Sequence, residues 1–150
     1  AKFNGKLEQS FPNSKLSYEM RMKDAKHWTL TGNWKDFVYG DGDPDLYKVA
    51  HSPKDELNIE FEGTGISLLG SWNVDGGKAD IYIDGKLVKQ VDTYYREEAG
   101  KYDVNRAYLF HDLNLTPGKH TLKLVVSDSK NPQSSGNKIY LERALVYHSH

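Results

Sequence analysis

The sequence predicts an all-β protein, a single antiparallel β-sandwich domain spanning 1–150, and three observations carry that expectation. Leu57-Asn58-Ile59-Glu60-Phe61-Glu62 alternates apolar and polar residues with a period of two, the pattern of a strand with one buried face. Asp84-Gly85 stands between two strand-like runs, where a two-residue hairpin turn needs positive φ angles. Short apolar runs recur between turn signals, and no stretch has the period of an amphipathic helix.

Taken in order, residues 16–22 read as a strand or a loop, and residues 28–38 as a strand bent at Gly32. Residues 57–62 are a strand, followed after Gly63-Thr64-Gly65 by a second at 66–69. A Gly-rich corner carrying Trp72 leads into the hairpin, with strands at 79–84 and 87–94. Leu87, Val88 and Val91 begin the return strand. Residues 107–115 form another strand, Thr116-Pro117-Gly118 a turn, and 119–127 a strand with His120, Leu122, Leu124 and Val126 on one face. Residues 138–147 close the pattern. Three loops stand out, at 39–46, 96–105 and 128–137, and loops on a rigid sandwich commonly carry function.

Composition narrows the function classes. A chain of 150 residues buries a core large enough to need no covalent staples. Cysteine is absent, which removes disulfides, zinc–thiolate sites and thiol catalysis. The formal net charge is −1 with both signs interleaved, which argues against a nucleic-acid partner. No apolar run approaches the length of a membrane-spanning helix, so no membrane partner is expected. No signal peptide precedes Ala1, which suits a cytoplasmic chain, a mature product or an excised domain. Ten Tyr and three Trp weigh more than the charge, because aromatics serve both strand packing and rigid binding surfaces.

Phe61-Glu62-Gly63-Thr64-Gly65-Ile66, the run from Asp75-Gly76-Gly77 to Asp84-Gly85-Lys86, and Pro117-Gly118-Lys119-His120-Thr121-Leu122 together resemble the galactose-binding-like β-sandwich (jelly-roll) domains. The resemblance covers residues 57–147, and its motifs are scaffold positions rather than ligand positions. It implies a jelly-roll sandwich of the kind appended to bacterial glycoside hydrolases, sulfatases and polysaccharide lyases, often as a carbohydrate-binding module. It also implies an extracellular, periplasmic or cell-surface location. Structural calcium is common in such domains. Fold alone does not fix function, so site residues must be argued from their own chemistry.

The densest candidate site is the stretch from Asp92 to Arg106. Tyr94 and Tyr95 are adjacent at a strand end and should point to opposite faces, one into the core and one presented. Arg96 and Arg106 bracket a loop with Tyr102, and Asn105 sits beside Arg106. A sugar ring stacks its apolar face on an aromatic, while Arg and Asn suit its hydroxyls and carboxylates. Trp72, where a strand exits into a Gly-rich loop, is the second candidate. The expected ligand-binding set is therefore Trp72, Tyr95, Arg96, Tyr102, Asn105 and Arg106. The bland alternatives are a loop held by pairing of Arg with Glu97 and Glu98, and a Trp72 that plugs one end of the sandwich. Trp34 reads as the better exposed of the other two tryptophans.

Asp41, Asp43 and Asp45 alternate in an oxygen-rich loop of a kind that can hold calcium, and equally make an ordinary acidic turn. No cofactor is expected. G-x-S-x-G, H-E-x-x-H and P-loop motifs are all missing. His120 falls on the apolar face of its strand, where a lone His is usually a satisfied core residue. The sequence therefore reads as a noncatalytic module that binds a polysaccharide or oligosaccharide beside a catalytic domain of the same parent protein. Two alternatives stand beside it. One is a small β-sandwich lyase using Tyr102, Asn105, Arg106 and His111 to move a proton; the other is a spacer without ligand.

Overall fold

The computed structural model describes residues 14–22, 27–37, 47–96 and 104–149. The described chain is β throughout: β1 Ser14–Arg21, β2 Trp28–Thr31, β3 Lys35–Phe37, β4 Tyr47–Ala50, β5 Glu56–Glu62, β6 Gly65–Trp72, β7 Lys78–Ile83, β8 Lys86–Asp92, β9 Val104–Asp112, β10 Lys119–Val126 and β11 Ile139–Ser149. Five strands form one sheet in the order β2-β5-β10-β7-β8. Six form the other, β3-β4-β11-β6-β9, with β1 also pairing β11. All strand pairs are antiparallel, giving the expected jelly-roll sandwich.

The alternation seen in the sequence is the core. Leu57, Ile59 and Phe61 of β5, Ile81 and Ile83 of β7, and Leu122, Leu124 and Val126 of β10 meet Ile66, Leu68, Leu141, Ala144 and Val146 of the six-stranded sheet. Strand β11 holds its apolar residues at 139 and 141 and then at 144 and 146, a change of parity. A bulge between Leu141 and Arg143 supplies the extra residue and restores the inward face.

The hairpin turn is as predicted: Asp84 has φ 52° and Gly85 φ 85°. The return strand departs from expectation. Leu87 and Val88 are exposed, and Val91 alone of the three is buried, because β8 is the outermost strand of its sheet and turns most of its surface to solvent.

Residues 28–38 are not one bent strand. β2 joins the five-stranded sheet and β3 the six-stranded one, so Gly32, at φ 108°, carries the chain from one sheet to the other. Buried Asp55 fixes this corner, accepting hydrogen bonds from the amides of Asn33 (3.1 Å) and Ser52 (3.1 Å). As expected, Trp34 is better exposed than the buried Trp28, though itself only partly exposed. It packs against the core, and its Nε1 donates to the Thr31 carbonyl at 3.0 Å and lies 3.2 Å from that of Glu56.

Candidate functional site

Strand β6 and strand β8 both run toward the same end of the sandwich, and their exits build one apex. Past Trp72, the buried Asn73 donates its amide to the Thr93 carbonyl at 3.1 Å. The Asn73 carbonyl accepts from Tyr95 at 3.0 Å and Gly76 at 3.0 Å. This bridge ties the end of one sheet to the end of the other. It also sets the Trp72 and Tyr95 rings together, their centroids 6.2 Å apart with planes inclined by 38°. Trp72 is 37% exposed, so part of its side chain reaches solvent.

The loop between β10 and β11 braces the apex from below. Ser135 donates its amide to the Val74 carbonyl (3.0 Å), Gly77 to Lys138 (2.8 Å) and Lys138 to Asp75 (3.0 Å). The buried Ser134 hydroxyl lies 2.7 Å from both the Gly76 and Gly136 carbonyls. Asn131 Nδ2 donates to Asp92 at 3.2 Å, and the Asp92 carboxylate accepts the Tyr94 amide at 3.0 Å. From the six-stranded sheet, Tyr140 donates its hydroxyl to Asp75 at 3.2 Å, with the Phe37 ring edge-on at 5.5 Å. The aromatic pair therefore rides on a stapled base, the arrangement that lets a site bind without first paying to order its own loops.

Of the six expected ligand residues, the structure brings Trp72 and Tyr95 into contact and leaves Arg96 exposed just beyond them. Asn105 and Arg106 lie on β9, whose Val104 pairs with Trp72, so their backbone runs beside the aromatic pair. Their side chains, and Tyr102, lie outside the described part of the molecule. Tyr94 and Tyr95 do not divide into one core and one surface ring. Both are half-buried, because β8 ends at Asp92 and Tyr94 continues only as a parallel bridge to Asn73. The scaffold groups Asn73, Asn131 and Ser134 were not foreseen, because their role depends on partners distant in the chain.

The outer face of the six-stranded sheet carries a second aromatic group. Tyr108 is half exposed, with the His111 ring 6.0 Å away. The Tyr147 hydroxyl accepts a hydrogen bond from Ser67 Oγ at 3.3 Å, and burial above all raises its pKa. His120 is the satisfied core residue expected. It is 8% exposed, with both ring nitrogens hydrogen-bonded.

Among the described residues no three His, Asp or Glu side chains gather as a metal-holding group. Asp41, Asp43 and Asp45 lie outside the described residues.

No known family model matches the chain. It is 29% identical over 101 residues to an A type blood alpha-D-galactosamine galactosaminidase of Flavonifractor plautii, an alignment covering 65% of this chain and 8% of that protein. The chain therefore spans a small part of the curated relative it matches. Among solved structures it resembles the CBM36-1 domain of a multidomain xylanase from the hindgut metagenome of Trinervitermes trinervoides. The TM-score is 0.53 at 17% identity, over 89% of this chain and 95% of that domain. It also resembles a xanthan lyase of Paenibacillus, with TM-score 0.60 at 16% identity over 87% of this chain and 13% of the lyase. The fold is thus the β-sandwich of the carbohydrate-binding-module type, which these comparisons find within larger carbohydrate-active enzymes.

Proposed function

We propose that this chain is a noncatalytic carbohydrate-binding module that takes a polysaccharide or oligosaccharide at the Trp72–Tyr95 apex and targets an appended catalytic domain to its glycan. One observation carries the reading. A part-exposed tryptophan and a half-buried tyrosine form a single aromatic surface on a base stapled by backbone hydrogen bonds. Sugar rings recognise such a surface by stacking, and its rigidity keeps the ordering cost of binding low. The small share of the galactosaminidase that the chain matches suits an accessory domain of a larger secreted enzyme.

The affinity expected of one or two stacked rings and a few hydroxyl bonds is millimolar to micromolar, about −4 to −8 kcal/mol. A glycan array followed by calorimetry on the hits tests the reading. Binding in that range supports it, and no glycan hit together with nanomolar binding to a protein overturns it. An ultraviolet assay on uronate polysaccharides separates a binder from a lyase, since a lyase product absorbs and a bound glycan does not.

A further inference from the structure

The end of the sandwich opposite the Trp72–Tyr95 apex carries a cleft of about 480 Å³, lined from β1, His27 just before β2, β5, the β7–β8 turn and β10. That volume falls within the range of small-ligand sites, roughly 300–1,000 Å³. Phe61 and His120 line it with their rings 5.6 Å apart, and Tyr18 contributes a third ring. Each polar aromatic is locked. The Tyr18 hydroxyl accepts the Glu62 amide at 3.2 Å, and His120 is held at both nitrogens by Asp84 and Thr116, each at 2.6 Å.

A second observation makes this more than a hollow. His27, Glu60, Glu62, Lys119 and Thr121 also line the cleft, and none of their side chains makes a hydrogen bond or ion pair with any described residue. The strand register sets Glu60 opposite Thr121 and Glu62 opposite Lys119 on neighbouring strands. A row of unspent hydrogen-bonding groups beside fixed aromatic walls suits a hydroxyl-rich ring.

We propose that this cleft is a second saccharide site, for sugars that carry no negative charge. Its carboxylates, Glu60, Glu62 and Asp84, outnumber its cations, Lys119 and the His120 imidazolium, so a uronate is repelled while neutral and amine-bearing sugars are accepted. The proposal rests on the reading of the chain as a sugar binder. It adds a site whose occupation is independent of the apex, so that one module bridges two glycan segments and gains from both attachments at once.

The test is an amide nuclear magnetic resonance titration of the whole chain with cello-oligosaccharides, chitosan oligosaccharides and oligogalacturonates. The cleft amides of Tyr18, Glu60 and Thr121 should shift with the first two and not the third, in the parent and equally in Trp72→Ala. Glu60→Gln, which removes a charge and breaks no described contact, should weaken the chitosan-induced cleft shifts about tenfold, roughly 1.4 kcal/mol, and leave apex shifts unchanged. Thr121→Val should weaken the cello-oligosaccharide response at the cleft in the same way. Cleft shifts that vanish in Trp72→Ala, follow oligogalacturonate, or fail to appear with any of the three overturn the second site. Apex shifts without cleft shifts leave the main reading standing, and cleft shifts alone overturn the apex instead.

Discussion

His120 Nδ1 lies 2.6 Å from a carboxylate oxygen of Asp84, and its Nε2 lies 2.6 Å from the Thr116 carbonyl. Both neighbours only accept, so the imidazolium alone donates to both. Burial opposes the charge on His120, and the Asp84 carboxylate followed by the Thr116 carbonyl more than offsets it, raising the pKa. The bond from His120 is the main cause of a lowered pKa at Asp84. The pair ties the hairpin turn to the strand that pairs with β7.

This relationship gives a signed pH dependence. A raised His pKa contributes stability in full below the unfolded value of 6.5 and loses it as pH rises through the folded one. A lowered Asp pKa contributes above the unfolded value of 3.8 and loses it as pH falls through the folded one. Melting should therefore be highest between 3.8 and 6.5. Asp84 is about half exposed, so the amplitude is that of a screened pair. Asp84→Asn keeps a residue that tolerates positive φ. It should melt below the parent inside that window and converge with it on the alkaline side. Superimposable melting profiles across pH would refute the account.

Burial separates two leucines of the same hairpin sheet. Leu124 is 0% exposed in the central strand β10, and Leu87 is 59% exposed on the outermost strand β8. Leu124→Ala should cost about 2–5 kcal/mol in denaturant unfolding, through lost transfer energy and a residual cavity. Leu87→Ser should stay within about 0.5 kcal/mol. A large loss at Leu87 would mean that its surface is covered in solution.

Ser134 couples fold to site. Its buried hydroxyl has one proton and lies within 2.7 Å of two carbonyls, Gly76 and Gly136, under the loop that follows Trp72. Ser134→Ala leaves buried carbonyls short of a donor and should cost about 1–3 kcal/mol of stability. It should also weaken saccharide binding with Trp72 itself intact, measured by calorimetry well below the melting temperature. Unchanged affinity would show that the aromatic pair does not depend on this brace.

What the sequence disclosed was local. The period-two runs of β5, β7 and β10 and the Asp84-Gly85 turn are set by neighbours along the chain, and the structure bears them out. The division of residues 28–37 between two sheets was hidden, because the corner at Gly32 is fixed by Asp55, a residue of a different segment. The exposure of Leu87 was hidden too, since hydrophobicity does not say which strand ends up at an edge. At the apex, Trp72 could be singled out from its Gly-rich surroundings. Its contact with Tyr95 could not, because that contact arises from the Asn73 bridge between the two sheets. The opposite cleft assembles Tyr18, Glu60, Asp84 and His120 from separate strands and had no local signature at all.

The apex makes a prediction about additivity. If a sugar lies across the Trp72 and Tyr95 rings together, each ring supports the placement of the other at their 6.2 Å separation. Trp72→Ala and Tyr95→Ala should each lower affinity by about 1–3 kcal/mol, as anchors do. The double variant should lose less than the sum, by about 0.5–1.5 kcal/mol, because removing either ring already disables part of the shared surface. Trp72 is 37% exposed, so its truncation should move the melting temperature far less than truncating Leu124 does. Calorimetry on the four proteins of the cycle gives the coupling directly. Strictly additive losses would mean that the two rings meet separate parts of the ligand. Full affinity in the double variant would remove the apex from the binding site altogether.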